Sequence, residues 1–319
     1  MYNRVNWKDG QTELCDTNFN IMDKGIADVS VQASQISNPN ILINGDFQIW
    51  QRGTDILVPN DGSTYTTDRW MSCHKNHEVQ QLANTSPFPS LYMLRNINKG
   101  TANGQMYNYQ IIGDYSKYQG KPLTLSFWIK GYGTTPYLAC RIGADTNKGL
   151  TLTDQWQFVT VTVNSANFTD DYYNRGVIFY TVSSGPYPVG SGFDLAGVKL
   201  ELGTIATPFH PRPTAEELML CQRYYLPLDP NAWWVFNAVY GGDVRADIPT
   251  PSTFRAVPTL VYKDLPQVFT STGWVTVDSM YVNPTPLSNK VILGLNIPSI
   301  TTTGPYLVMK VPSLDAEIY

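Results

Sequence analysis

Tyrosine is the residue type through which this sequence could do chemistry. The chain carries 20 of them, and six fall in its two densest polar-aromatic runs, GQMYNYQIIGDYSKYQG at 104–120 and DDYYNRG at 170–176. A pyranose presents an apolar C–H face that stacks on an aromatic ring, while amides, carboxylates and guanidiniums bond its hydroxyls. Tyr107, Tyr109, Tyr115, Tyr118, Tyr172 and Tyr173 are therefore the candidate carbohydrate-binding residues. The competing reading places the same rings in a β core or at a subunit interface, both of which also use Tyr.

Catalytic constellations are thin. His74 and His77 form an HxxH without the HExxH pattern or a helix to carry it, and His210 sits among prolines in PFHPRP. Asp170 and Asp171 are adjacent, so on a strand they would point to opposite faces. There is no GxSxG, no P-loop and no GxGxxG. No catalytic residue is assigned, and the expectation is a chain that is not an enzyme. A glycosidase needs only two carboxylates about 5–9.5 Å apart across a cleft, a pairing that leaves no spacing signature.

The elements that must position these residues are mainly β. Of the 319 residues, 15% are charged and 13% aromatic, with 24 Gly and 22 Pro, a composition of many strands and turns. The formal net charge is −4 and no Lys/Arg cluster stands out, which argues against a nucleic-acid partner. No apolar run approaches the roughly 20 residues of a membrane-spanning helix. The N-terminus lacks the apolar core of a signal peptide. Cys15, Cys73, Cys140 and Cys221 lie far apart and in no CxxC pair, which suggests reduced thiols.

Along the chain, Phe19, Met22, Ile26 and Val29 make one apolar stripe, which predicts a short helix with Asp16 or Thr17 as N-cap. A helix of this length buries its stripe only against a neighbour. Residues 41–212 read as β throughout. ILINGDFQIW opens that region with a turn at Asn44-Gly45, and LTLSFWIKG alternates Leu123, Leu125, Phe127 and Ile129 on one face. WQFVTVTV puts Phe158, Thr160 and Thr162 opposite Val159, Val161 and Val163. Thr214-Ala-Glu-Glu217 reads as a capping box opening a helix that serves as a hinge before residues 231–319 return to β.

The ordered blocks also resemble a family. NILINGDF with IWQRG, then TTDRW at 66–70, LTLSFWIKG, and VKLELGTIATPFHPRPTAEELMLCQRYY at 198–225 are similar to the corresponding blocks of bacteriophage tail-fibre and structural virion proteins. IPTPSTFRAVPTLVY at 248–262 resembles the stretch that follows CQRYY in the same proteins, and YNRVNWKDGQTELCDTNFNIMDKGI resembles their particle-attaching start. The resemblance implies a carbohydrate-binding-module-like jelly roll in a trimeric virion protein. It also implies a structural Ca²⁺ near Asp46 and Asp194, the positions that match acidic residues of such modules, with backbone carbonyls supplying further oxygens.

The expected architecture is thus mainly β. It comprises a virion-anchoring segment over 1–39, a carbohydrate-binding-module-like jelly roll over 40–212, a linking helix over 213–230 and a C-terminal β domain over 231–319. Trp7, Phe19, Met22 and Ile26 form the expected anchor. The expected function is a phage fibre protein of tail or head, localised in the virion and meeting host-surface polysaccharide. Its expected partners are itself, as a homotrimer, and capsid or tail proteins. The alternatives are a decoration or collar protein without glycan affinity, and a polysaccharide-degrading spike.

Overall fold

Alternating apolar and polar residues build two six-stranded antiparallel sheets in the computed structural model of the chain. It describes residues 37–59, 62–73, 76–100, 106–134, 137–145, 148–181, 187–229, 233–261, 266–270, 273–283, 290–297, 305–309 and 313–317, together with Asn20, Asp23 and Lys24. The expected anchor residues Trp7, Phe19, Met22 and Ile26 lie outside the described residues.

The strands of the sandwich are β1 (Asp55–Val58), β2 (Ser63–Tyr65), β3 (Met71–Cys73), β4 (His77–Ala83), β5 (Tyr92–Asn98) and β6 (Tyr107–Ile111). They continue with β7 (Leu123–Tyr132), β8 (Tyr137–Ile142), β9 (Lys148–Thr151), β10 (Gln157–Val163), β11 (Gly176–Thr181) and β12 (Gly192–Leu202). One sheet runs β1-β4-β5-β12-β7-β10 and the other β2-β3-β6-β11-β8-β9. The alternation in β7 aims Leu123, Leu125, Phe127 and Ile129 between the sheets, where they meet Leu138, Cys140, Ile142, Val177 and Phe179 of the facing sheet. Phe127 and Phe179 touch edge to face across the core, with ring centres 4.9 Å apart.

The turn expected at Asn44-Gly45 is present, but the rest of the opening ILINGDFQIW segment, expected as strand, is irregular. Asn44 explains why. Its φ is 56° and its buried amide donates to the carbonyls of Ile49 and Asp68 and to Thr67 Oγ1, while its Oδ1 accepts from Ile49 N–H. A side chain that satisfies this many backbone groups replaces a strand partner. Gly45 is required beside it, because a Cβ there would sit 2.1 Å from the Val198 carbonyl oxygen.

After the sandwich, α1 (Thr214–Gln222) leads into β13 (Tyr225–Leu226), β14 (Trp234–Tyr240), β15 (Asp243–Pro249), β16 (Thr259–Val261), β17 (Gln267–Thr270) and β18 (Gly273–Thr276). The last strands are β19 (Ser279–Asn283), β20 (Lys290–Asn296), β21 (Pro305–Met309) and β22 (Ser313–Asp315). They form a seven-stranded sheet, β18-β17-β21-β14-β15-β20-β19, and a three-stranded one, β13-β22-β16. Phe236, Val244, Ile248, Leu293, Leu295 and Val308 make a second core there.

The capping-box reading of α1 is corrected. No side chain caps the helix at Pro213. Thr214 Oγ1 donates to Gln48 Oε1 at 2.7 Å, and the buried Glu217 carboxylate accepts the Asn44 backbone N–H and the Arg212 guanidinium. A helix bonded this way to the sandwich is not the free hinge that was expected. Cys73, Cys140 and Cys221 are free and buried.

Candidate functional site

The outer face of the β2-β3-β6-β11-β8-β9 sheet gathers the tyrosines. Register places Tyr107 of β6 opposite Tyr180 of β11, and Tyr109 opposite Ile178. Residues directly opposite on antiparallel strands share a face. Tyr107 and Tyr180 stack with ring centres 5.3 Å apart and 12° between their planes. A 3₁₀ turn (Tyr172–Asn174), started by the Asp171 carboxylate accepting Tyr173 N–H at 3.0 Å, folds two further rings over this face. Tyr173 lies edge-on to Tyr109 at 5.6 Å and 6.2 Å from Tyr107.

Burial sorts these rings. Tyr109 is 2% exposed; its hydroxyl donates to Met71 Sδ at 2.6 Å and lies 3.3 Å from the Tyr172 hydroxyl. It is the floor. Tyr107, Tyr172, Tyr173 and Tyr180 are half-buried and form the accessible layer. Arg141 stands opposite Ile178 on β8, with its Nε buried and without a partner. Tyr137, 48% exposed, lies over Gly149, where a Cβ would collide with its hydroxyl. Opposite Tyr180 the neighbouring residues are Ala139 and then Gly149, so a shallow trough of small side chains runs beside the stacked pair.

Arg141 is the charged side chain in register with these rings, and the buried Arg69–Glu317 pair lies at the Tyr172 end of the face. Burial pushes the Tyr109 phenol well above its ordinary value and the Tyr173 phenol up to about 12. Cys73, beneath Tyr173, is pushed up to about 11 by burial and is a neutral thiol. Apolar ring faces with one guanidinium and neutral hydroxyls are suited to stacking and hydrogen bonding with a polyhydroxylated ligand, not to acid–base chemistry.

Of the sequence-predicted residues, Tyr107, Tyr109, Tyr172 and Tyr173 come together. Tyr115 and Tyr118 do not; they occupy a separate 3₁₀ turn and pack against the edge of the inter-sheet core. Tyr115 donates to Asp170 Oδ1 at 2.8 Å, so Asp170 and Asp171 serve separate local bonds instead of facing across a cleft. Tyr180 and Arg141 were missed. The signal that would have found Tyr180 is the pairing of β6 with β11, which local spacing does not reveal.

The two expected calcium positions have different surroundings. Asp194 is held by Arg95 through Nε at 2.7 Å and Nη2 at 2.8 Å, with Lys130 Nζ at 3.5 Å, so its charge is already balanced. Asp46 is instead raised to about 6, first by burial and then by the charge of Glu217. Among the described residues no group of three or more His, Cys, Asp or Glu side chains gathers to hold a metal. His77 is fully buried within β4, and its partner in the HxxH, His74, lies outside the described residues.

The most distinctive sequence blocks meet at a bolt that adjoins this face, since Ile111 and Tyr224 share a cluster with Tyr109. Arg69 of TTDRW has φ 69° and is buried; its guanidinium pairs with Glu317, donates to the Ile111 carbonyl at 2.8 Å and stacks on Tyr224 of CQRYY. Arg52 of IWQRG stacks on Tyr225 and reaches Asp68, Asp315 and Glu317. Lys199 of VKLELG is buried, with Nζ 3.2 Å from Glu201 and bonded to Thr207 and Pro208 of the following ATPF loop. These blocks are structural.

No protein-family model matches the chain, and no curated protein matches it. Solved structures do resemble the sandwich. The enzymatically active domain of bacteriophage CBA120 tailspike protein 4 is similar at 16% identity and TM-score 0.34, over 51% of this chain and 21% of that one. TmCBM61 in complex with β-1,4-galactotriose is similar at 12% identity and TM-score 0.33, over 52% and 99%. The arabinose-bound α-L-arabinofuranosidase MgGH51 is similar at 12% identity and TM-score 0.33, over 53% and 31%. The chain thus spans about a fifth of the tailspike domain it resembles. The expectation that the chain is not an enzyme is corrected: enzymes stand among these neighbours.

Proposed function

We propose that the chain is a phage virion fibre protein that binds a host-surface glycan on the outer tyrosine face of its sandwich. The observation that carries the binding reading is the stacked, half-buried Tyr107–Tyr180 pair beside Tyr173 and Arg141. The fibre reading is supported by the ordered sequence blocks from NILINGDF to CQRYY. In this reading residues 1–39 attach to capsid or tail protein and the β parts project as a homotrimer. A single shallow sugar site holds only about millimolar affinity, roughly −4 kcal/mol. Linked copies raise effective binding by about 10²–10⁴-fold without a new contact.

The test is an array of bacterial surface polysaccharides probed with the full-length protein. Binding to at least one class is expected, with Tyr180→Ala and Tyr107→Ala each weakening it about tenfold, the size of a lost ring contact. A flat array would leave a decoration protein without glycan affinity as the better reading. The attachment reading is checked separately: deletion of residues 1–30 should leave folded protein that no longer enters virions. Incorporation at the wild-type level would remove the anchor from the proposal.

A further inference from the structure

The sandwich has a second face, and it holds a cavity that the tyrosine site does not use. On the outside of the β1-β4-β5-β12-β7-β10 sheet, Trp128 of β7 lies beside Phe158 of β10, with ring centres 5.2 Å apart. Facing them is a second aromatic pair, Phe88 and Phe209, with centres 5.0 Å apart. Between the pairs is a cavity of about 460 Å³, within the range of about 300–1,000 Å³ usual for small-molecule pockets.

The walls are built, not incidental. Phe88 rests on Gly197, whose φ is +57° and where a Cβ would meet the Phe88 ring at 2.7 Å. Phe209 belongs to the loop that the buried Lys199 and Glu201 clamp through Thr207 and Pro208. Both rings of the Phe88–Phe209 wall are therefore tied to β12, from the glycine at 197 and the ion pair at 199 and 201.

The floor supplies the chemical discrimination. Ser126 lines the cavity, is 3% exposed, and its hydroxyl has no hydrogen-bond partner among the described residues. This hydroxyl faces the cavity and can both donate to and accept from a polar group that a ligand brings to the floor. His210, exposed at the rim, adds ring nitrogens that can bond a second polar group. No Asp, Glu, Lys or Arg lines the cavity, which disfavours a charged ligand because nothing would balance its charge. Phe158, 53% exposed, is left open to solvent in the empty cavity.

We propose that this Trp128–Phe158–Phe88–Phe209 cavity is a second carbohydrate site, one that takes a single neutral pyranoside whose ring stacks on the aromatic walls and whose hydroxyl bonds Ser126. A pyranoside fits better than an aliphatic or aromatic side chain of a partner, which would fill the walls and leave the Ser126 hydroxyl unsatisfied. The site shares no residue with the tyrosine face, so each stands or falls alone.

The experiment uses full-length protein labelled with 5-fluorotryptophan and followed by ¹⁹F NMR. The Trp128 signal is assigned with Trp128→Phe. Methyl glycosides of glucose, galactose, mannose and N-acetylglucosamine are titrated as probes. At least one should shift the Trp128 signal saturably at millimolar concentration. Ser126→Ala, which removes the hydroxyl without adding bulk, should weaken that probe about five- to tenfold. Phe158→Ala, at an exposed edge-strand position, should weaken it comparably and guards against a folding artefact at Ser126. Tyr180→Ala should leave the titration unchanged. The proposal is overturned if none of these probes moves the signal. It is also overturned if Ser126→Ala and Phe158→Ala both bind as wild type does, or if the signal moves only with protein concentration, which would mark a second copy's side chain as the occupant. Because the tyrosine face contains no tryptophan, loss of polysaccharide binding there and loss of the pyranoside response here are read separately.

Discussion

The guanidinium of Arg69 lies 3.5 Å from the centre of the Tyr224 ring while pairing with the carboxylate of Glu317. Strand, helix end and C-terminal segment thus converge on one cation in a site where both charged side chains are 1% exposed. Breaking a buried pair from one side leaves the other charge uncompensated, at a cost of about 3–5 kcal/mol. Glu317→Ala is therefore expected to lower the melting temperature of the full chain sharply. Arg69→Met with Glu317→Leu should recover much of the loss, because it removes both charges and keeps the volume. Calorimetry on the single and double variants checks this; a Glu317→Ala protein that melts with wild type would show that the bolt contributes nothing.

Asp46 makes the pH dependence testable. Burial lifts its carboxyl from 3.8 to about 6, with the charge of Glu217 adding to the rise. The folded state therefore holds a proton that the unfolded state releases between about pH 4 and pH 6. A raised carboxyl pKa gives stability that is present below the unfolded value and is lost as pH rises through the folded value. The loss amounts to about 3 kcal/mol, at about 1.4 kcal/mol per pH unit. Asp46→Asn should flatten that slope, and the variant should exceed wild type in stability at pH 7. Denaturant titrations at a series of pH values read both effects.

What could be read from the chain depended on whether a residue's partner was near in sequence. The inward Leu123, Leu125, Phe127 and Ile129 were legible, since a strand's period of two shows in any short window. So were the Tyr runs at 107–109 and 172–173, which the fold does bring together. Glu217 was misread because its local pattern matched a capping box, while its carboxylate is taken by Asn44 N–H and Arg212. Asp194 was assigned to calcium because its neutralising partners, Arg95 and Lys130, sit on the two strands flanking β12. The strand expected over ILINGDFQIW failed for the same reason: the bonds of Asn44 to Thr67 and Asp68 outcompete a ladder that local apolar content suggests.

Two glycines offer a contrast in what a methyl group meets. At Gly45 a Cβ would lie 2.1 Å from the Val198 carbonyl oxygen, which is backbone and cannot move without disturbing β12. At Gly149 it would overlap the Tyr137 hydroxyl, the far end of an exposed side chain that can swing away. Gly45→Ala is expected to cost several kcal/mol, on the order of the larger single-site losses. Gly149→Ala should change stability by less than about 1 kcal/mol, and it should alter glycan affinity instead, since Tyr137 borders the trough. Chemical denaturation of both variants separates the two, and equal destabilisation would contradict the backbone argument.

The C-terminal sheet carries an apolar row on its outer face over β18, β17, β21 and β14. Phe236, Val268 and Val308 point into its core, while their neighbours Val235, Phe269 and Leu307 point outward. Register aligns the outward residues across adjacent strands, Val235 with Leu307, Leu307 with Phe269, and Phe269 with Trp274. Each is between 41% and 56% exposed, and the Trp233 ring extends the row at 5.5 Å from Trp274. Strands buried on one side only alternate apolar with polar residues, whereas this row reads as one that a second surface covers. In the proposed homotrimer that surface is a sister copy. Phe269→Lys with Leu307→Lys places charges in the middle of the row and should reduce the mass measured by light scattering from trimer to monomer. The melting of the sandwich should be unchanged, because neither residue touches it. A wild-type chain that runs as a monomer at every concentration would remove the sister copy as the covering surface.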